Sequence, residues 1–98
     1  MAYRLEFHLE AETEFDEALL WYQSRLEGLE AGFYEEYLAV EKRMEENPCQ
    51  FPAILENIRR ANFTRFPYSV FFSIEGKIVF VYAIFHQKRD PGVWMERL

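Results

Sequence analysis

Tyr3, Leu5 and Phe7 alternate with Arg4, Glu6 and His8, and a period of two predicts a short strand with one buried face. From residue 10 the period lengthens. Ala11, Phe15, Ala18, Tyr22, Leu26 and Leu29 recur at intervals of 3 or 4, the spacing of one helical face, and Gly28 stands where that helix is expected to stop. Phe33, Tyr37, Val40 and Met44 form the stripe of a second helix. Asn47-Pro48 ends it, because proline disfavours the helical conformation in the residue before it. Few residues separate the two stripes, so the helices should fold back as an antiparallel hairpin.

Beyond a loop containing Pro48 and Pro52, β-branched and aromatic residues take over. Residues 58–63, 68–74 and 77–86 read as strands, with Pro67 marking a bend between the first two and Glu75-Gly76 a two-residue turn between the last two. Residues 78–85 are apolar on both faces, as expected of a central strand covered on both sides. Asp90-Pro91-Gly92 then breaks the sheet and leaves residues 93–98 as a short tail. The expected architecture is α+β over residues 1–98 as a single domain: an N-terminal strand and an antiparallel helical hairpin packed on a mainly antiparallel sheet.

Composition supports a packed core and narrows the partners. Half of the 98 residues are apolar and 18 are Phe, Trp or Tyr, which excludes a disordered chain. The net charge of −6 would repel phosphate backbones and anionic lipid, but it is unevenly spread. Residues 1–49 carry 13 acids and 4 bases, whereas residues 50–98 carry 4 acids and 7 bases. An acidic helical half is thus joined to a basic sheet half. Acids at the start of the first helix complement its dipole, and most glutamates are expected on solvated helical faces. The longest apolar run, eight residues at 78–85, falls far short of the ~20 needed to span a bilayer. With no apolar signal core and Cys49 as the one cysteine, a soluble cytoplasmic protein without an intrachain disulfide is expected.

Few residues offer catalytic chemistry. His8 and His86 have no cysteine or carboxylate near them at a ligand-like spacing, so no metal is expected, and four glycines make no phosphate-cradling loop, so no cofactor is expected either. No serine sits in a nucleophile elbow, and Cys49 has no local motif. The bases say more. Arg59, Arg60 and Arg65 lie on or beside the first strand of the sheet half, Lys88 and Arg89 follow the last strand just after His86, and Arg97 is in the tail. Neighbouring strands can gather such ends into a basic patch, where guanidinium forks hold phosphate and an imidazole moves a proton. The plainer reading is that these arginines solubilise the sheet edges. Trp94 either pins the tail to the core or contacts a partner.

Arg59-Arg60, Arg65-Phe66-Pro67-Tyr68 and His86-x-x-Arg89-Asp90-Pro91-x-x-Trp94, with Ala18 and Trp21-Tyr22 on the first helix, together resemble the RelE/ParE family of toxins from bacterial type II toxin–antitoxin systems, also called plasmid stabilisation systems. The resemblance spans essentially the whole chain and implies the same fold, with a curved sheet. It also implies a cognate antitoxin whose disordered segment folds across the toxin, where Trp21, Tyr22, Phe33 and Tyr37 are candidate apolar contacts, although a buried core is the plainer reading for all four. Arg59, Arg60, Arg65, Arg89 and Trp94 complete the candidate partner-binding set.

The family holds two activities. RelE-like members are metal-independent endoribonucleases that cut messenger RNA in translating ribosomes by attack of a 2′-hydroxyl on the adjacent phosphate; here that chemistry would fall to Arg65, His86, Lys88 and Arg89. ParE-like members inhibit DNA gyrase by binding. Many relatives carry an arginine directly after the tyrosine of the Phe-Pro-Tyr segment, where this chain has Ser69, and a serine cannot replace a guanidinium as counter-charge to phosphate. With the net charge and the C-terminal motif, Ser69 favours the ParE branch, with gyrase as partner and no direct DNA binding by the toxin alone. The alternatives are the ribonuclease and a non-toxic relative kept as an interaction module.

Overall fold

The computed structural model describes residues 3–98. Strand β1 (Arg4–Phe7) leads into helix α1 (Leu9–Arg25) and helix α2 (Leu29–Glu46), then a 3-10 turn (Pro48–Gln50) and strands β2 (Ala53–Leu55), β3 (Ile58–Asn62), β4 (Tyr68–Glu75) and β5 (Ile78–His86). A single helical turn, α3 (Gly92–Met95), follows. The five strands form one sheet in the order β1-β5-β4-β3-β2, antiparallel except where β1 runs parallel to β5. The α+β architecture expected from the sequence is present, with β2 and α3 added to it.

Helix α1 starts where the His8 side chain accepts a hydrogen bond from the Glu10 N–H, satisfying one of the free donors of the first turn. It ends at Arg25, earlier than its stripe suggests. Leu26 is already extended and 64% exposed, and Leu29 belongs to α2. Gly28 lies at φ 90°, a conformation that glycine adopts without penalty, and caps the start of α2. The α2 stripe is buried as patterned, at Phe33, Tyr37, Val40 and Met44.

Both helices cover one face of the sheet. Phe33 lies within 5.1–5.3 Å, ring to ring, of Tyr22, Phe63, Phe66 and Tyr68, so one fully buried ring ties both helices to β4 and the bend before it. Burying such a side chain contributes about 1.5–3 kcal/mol. On the opposite, outer face a smaller cluster gathers Ile58, Phe71, Ala83, Phe85 and Trp94. In the β4–β5 pair, Phe71 faces Ala83 and Phe72 faces Val81, so Tyr82 is the extra residue of a β-bulge. The bulge shifts the pleat: Val79 and Val81 join the helix-side core before it, and Ile84 rejoins that core after it.

Candidate functional site

Because successive strand residues point to opposite faces, Arg59 and Arg60 cannot act together. Arg60 pairs in register with Phe71, and Asn62 with Ser69; all lie on the outer face. Arg59 turns the other way and donates to the carbonyls of Phe51 (2.6 Å) and Cys49 (3.4 Å), stapling the loop ahead of β2. Its guanidinium is thereby committed to structure.

Four of the predicted residues border one cavity at the end of β5, although the His86 ring itself turns to the helix side, where it and Arg89 also line a separate cavity with Glu14, Glu17, Trp21 and Tyr68. Arg60, His86 and Arg89 line a cavity of about 230 Å³ floored by Phe71, Phe85 and Trp94. The Arg89 guanidinium sits 4.2 Å from the centre of the Phe85 ring. The His86 Nδ1 accepts the Lys88 N–H at 3.1 Å, and its ring packs 5.3 Å from that of Tyr68. Burial, with Tyr22 close by, raises the Tyr68 phenol above its ordinary pKa, so it stays protonated at neutral pH. Lys88 is exposed. A second cavity of about 210 Å³ adjoins the first through Arg60, Phe71 and Gln87, and reaches Asn62 and Ser69. Ser69 is 1% exposed. Its hydroxyl donates to Asn62 Oδ1 at 2.6 Å and accepts from Gln87 Nε2 at 3.4 Å.

Arg65 is elsewhere. It sits beside α2, with Nη2 donating to the Gly32 carbonyl at 3.0 Å and its own N–H to Glu36 Oε1 at 3.0 Å. The Glu36 carboxylate also accepts from the N–H and hydroxyl of Thr64. Burial opposes its charge, but the hydrogen bonds from Thr64 and Arg65 and the nearby guanidinium outweigh burial and hold its pKa below the usual carboxylate value. The four-residue catalytic constellation expected for a ribonuclease is therefore not assembled: His86 and Arg89 share a cavity, whereas Arg65 faces the helices.

The aromatic contacts divide as well. Tyr22, Phe33 and Tyr37 are buried in the core and present little surface to a partner. Trp94 is fully buried, stacked on Phe71 at 4.3 Å, so it pins the tail to the sheet. Trp21 is 52% exposed, under the Arg25 guanidinium. It lines a cavity with Glu14, Glu17 and Tyr68, whereas on a different side of α1 Phe15, Tyr34 and Leu38 line a cleft of about 490 Å³ whose rim carries Glu12, Asp16 and Glu41.

One residue escaped the sequence reading. The acids at the start of α1 are expected on its solvated face, yet Glu14 is buried. It accepts from the Ile84 N–H at 3.1 Å and forms a two-pronged pair with Arg97, at 3.1 and 2.6 Å. The signal was available: Ala11, Glu14, Ala18 and Tyr22 share one helical face.

The comparisons agree with this architecture. Residues 5–91 match the family described as the ParE toxin of the type II toxin–antitoxin system parDE. A solved structure described as the chromosomal ParDE toxin–antitoxin system from P. aeruginosa superposes with a TM-score of 0.74 at 17% identity, covering 87% of this chain and 96% of that one. A mutant of the E. coli toxin RelE in complex with a peptide of the antitoxin RelBc superposes at 0.63 and 16% identity, covering 100% of this chain and 96% of that one. At such identities the likeness is one of fold. No curated protein sequence matches. The match over residues 5–91, with the helical hairpin and five-stranded sheet, places the chain in the ParE toxin family of type II toxin–antitoxin systems.

Proposed function

We propose that the protein inhibits DNA gyrase by binding it and is held inactive by a cognate antitoxin. The observation that carries this reading is Ser69. At the position where many relatives carry an arginine, the side chain is a buried hydroxyl hydrogen-bonded to Asn62 and Gln87. A phosphorane-like transition state needs several fixed positive charges beside it, and the cavity at Ser69 is lined by two amides and a hydroxyl with Arg60 as its one cation. Arg65, a second candidate cation, is held against α2. Both favour inhibition by binding over cleavage.

The antitoxin segment covers the acid-rimmed cleft between the helices. Tyr34 (46% exposed) and Leu38 (42%) supply the apolar contact there. Burying them would remove a run of exposed apolar surface that an isolated chain leaves in water. The antitoxin bound in the RelE neighbour supports a partner of this kind.

Arg60, His86 and Arg89 around one cavity favour a second reading, ribosome-dependent cleavage of messenger RNA. Expression in bacterial cells separates the two. A gyrase inhibitor produces filaments and a DNA-damage response, relieved when the neighbouring antitoxin frame is co-expressed. Arrested translation with cut messages and no DNA-damage response would reject gyrase as target.

A further inference from the structure

The outer face of the sheet combines features found together nowhere else among the described residues. Arg60 and Arg89 line a cavity with no Asp or Glu in its wall, on a chain whose net charge is −6. The Arg60 guanidinium has no side-chain hydrogen bond or acidic partner among the described residues, and Arg89 reaches only Glu14, at 3.9 Å. The rim is apolar, with Ile54 and Met95 each 38% exposed. The buried indole N–H of Trp94, in the same wall, has no hydrogen-bond partner. An unpaired guanidinium, Arg60, and one held only loosely by Glu14, Arg89, over an apolar floor suit a carboxylate carried on an apolar segment: the forks bind the carboxylate while the rim buries its neighbours.

We propose that this face docks an acidic, apolar segment of the target protein. The proposal rests on the binding-inhibitor reading and names the chemistry of its contact. Single-stranded nucleic acid fits less well. It needs a track of cations and open aromatic faces for its bases, whereas Phe71 and Trp94 cover each other and the acidic helical half repels a phosphate chain. Glu14 and Glu17 approach the site only beside Arg89, where the three line a separate cavity, and no acid lines the wall that holds Arg60, so a short acidic segment can dock where a long polyanion is repelled.

The test titrates the full chain with a blocked octapeptide of alternating glutamate and leucine, and separately with an octamer of uridylate. Binding is read from the two indole N–H resonances, with Trp21→Phe used to assign them. The expected result is that the peptide moves the Trp94 resonance, that Arg60→Glu and Arg89→Glu each weaken it at least tenfold, and that Lys42→Glu leaves it unchanged. Equal melting temperatures confirm that the variants are folded. Peptide binding insensitive to both reversals, no peptide binding, or binding of the uridylate alone would overturn the proposal. Gyrase inhibition is measured on the same proteins. A wild-type chain that fails to inhibit gyrase removes the target reading and leaves the peptide titration to decide the chemistry of this face. Inhibition that survives Arg60→Glu undiminished overturns the docking site while the toxin reading stands.

Discussion

The Glu14 carboxylate and the Arg97 guanidinium, 83 residues apart, form a buried two-pronged ion pair that closes the free edge of β5. Strand β1 covers that edge only as far as Val81. Beyond it, Arg97 donates to the Tyr82 carbonyl at 2.9 Å and Glu14 accepts the Ile84 N–H, so side chains replace the missing strand. The hydrogen bond from Arg97 to Glu14, opposed by burial and helped by the charges of Glu14 and of Glu10 at 3.2 Å, raises the Arg97 pKa. An unpaired edge invites pairing with other chains, and here Arg97, just beyond α3, blocks it together with Glu14.

Arg97→Ala should therefore destabilise the fold by about 3–5 kcal/mol, because it strands a buried carboxylate. Glu14→Met with Arg97→Met should recover much of that loss, since removing both charges also removes the desolvation that opposed the pair. Urea denaturation of the wild type and these two variants makes the comparison. A loss in Arg97→Ala below about 1 kcal/mol, the value of an exposed pair, would show that the pair is solvated.

The Glu36 carboxylate joins α2 to the bend before β4, and its lowered pKa makes the junction sensitive to acid. Its stabilisation is fully present above the pKa of the unfolded chain and is lost as pH falls through the lower folded value. Glu36→Gln should cost about 1 kcal/mol at pH 7 and progressively less toward pH 3. Chemical denaturation at both pH values checks the sign.

Trp94 holds α3 on the sheet, stacked on Phe71 in the cluster with Ile58, Ala83 and Phe85. Trp94→Ala should cost about 3–5 kcal/mol by opening a cavity. Trp94→Phe keeps a ring on Phe71 and deletes an unpartnered N–H, so its cost should be markedly smaller; thermal unfolding distinguishes the two.

Placing an arginine at position 69 should not introduce cleavage. Ser69→Arg forces a long side chain into a position 1% exposed, displacing the bond to Asn62, and should destabilise by about 1–3 kcal/mol without producing cleavage on programmed ribosomes. Cleavage by that variant would show that a missing cation was the only obstacle.

The elements legible in the sequence were those whose pattern is local. The α2 stripe and the β4–β5 hairpin around Glu75-Gly76 emerged close to their expected bounds, because each face there is read from one period. β2 was illegible: its three residues are all exposed, follow Pro52, and gain their strand conformation only by pairing with β3. The parallel pairing of β1 with β5 is likewise set by the helical hairpin between them in sequence. At the site, the convergence of His86 with Arg89 followed from the chain, but the separation of Arg59 from Arg60 required the pleat, and the capture of Arg65 and Arg97 required partners 29 or more residues away.

Supercoiling by purified DNA gyrase, measured with increasing amounts of the wild-type protein beside programmed ribosomes under the same conditions, bears most directly on the target. Saturable inhibition of supercoiling with messenger RNA left intact is the predicted result. Supercoiling unchanged at saturating protein would contradict it.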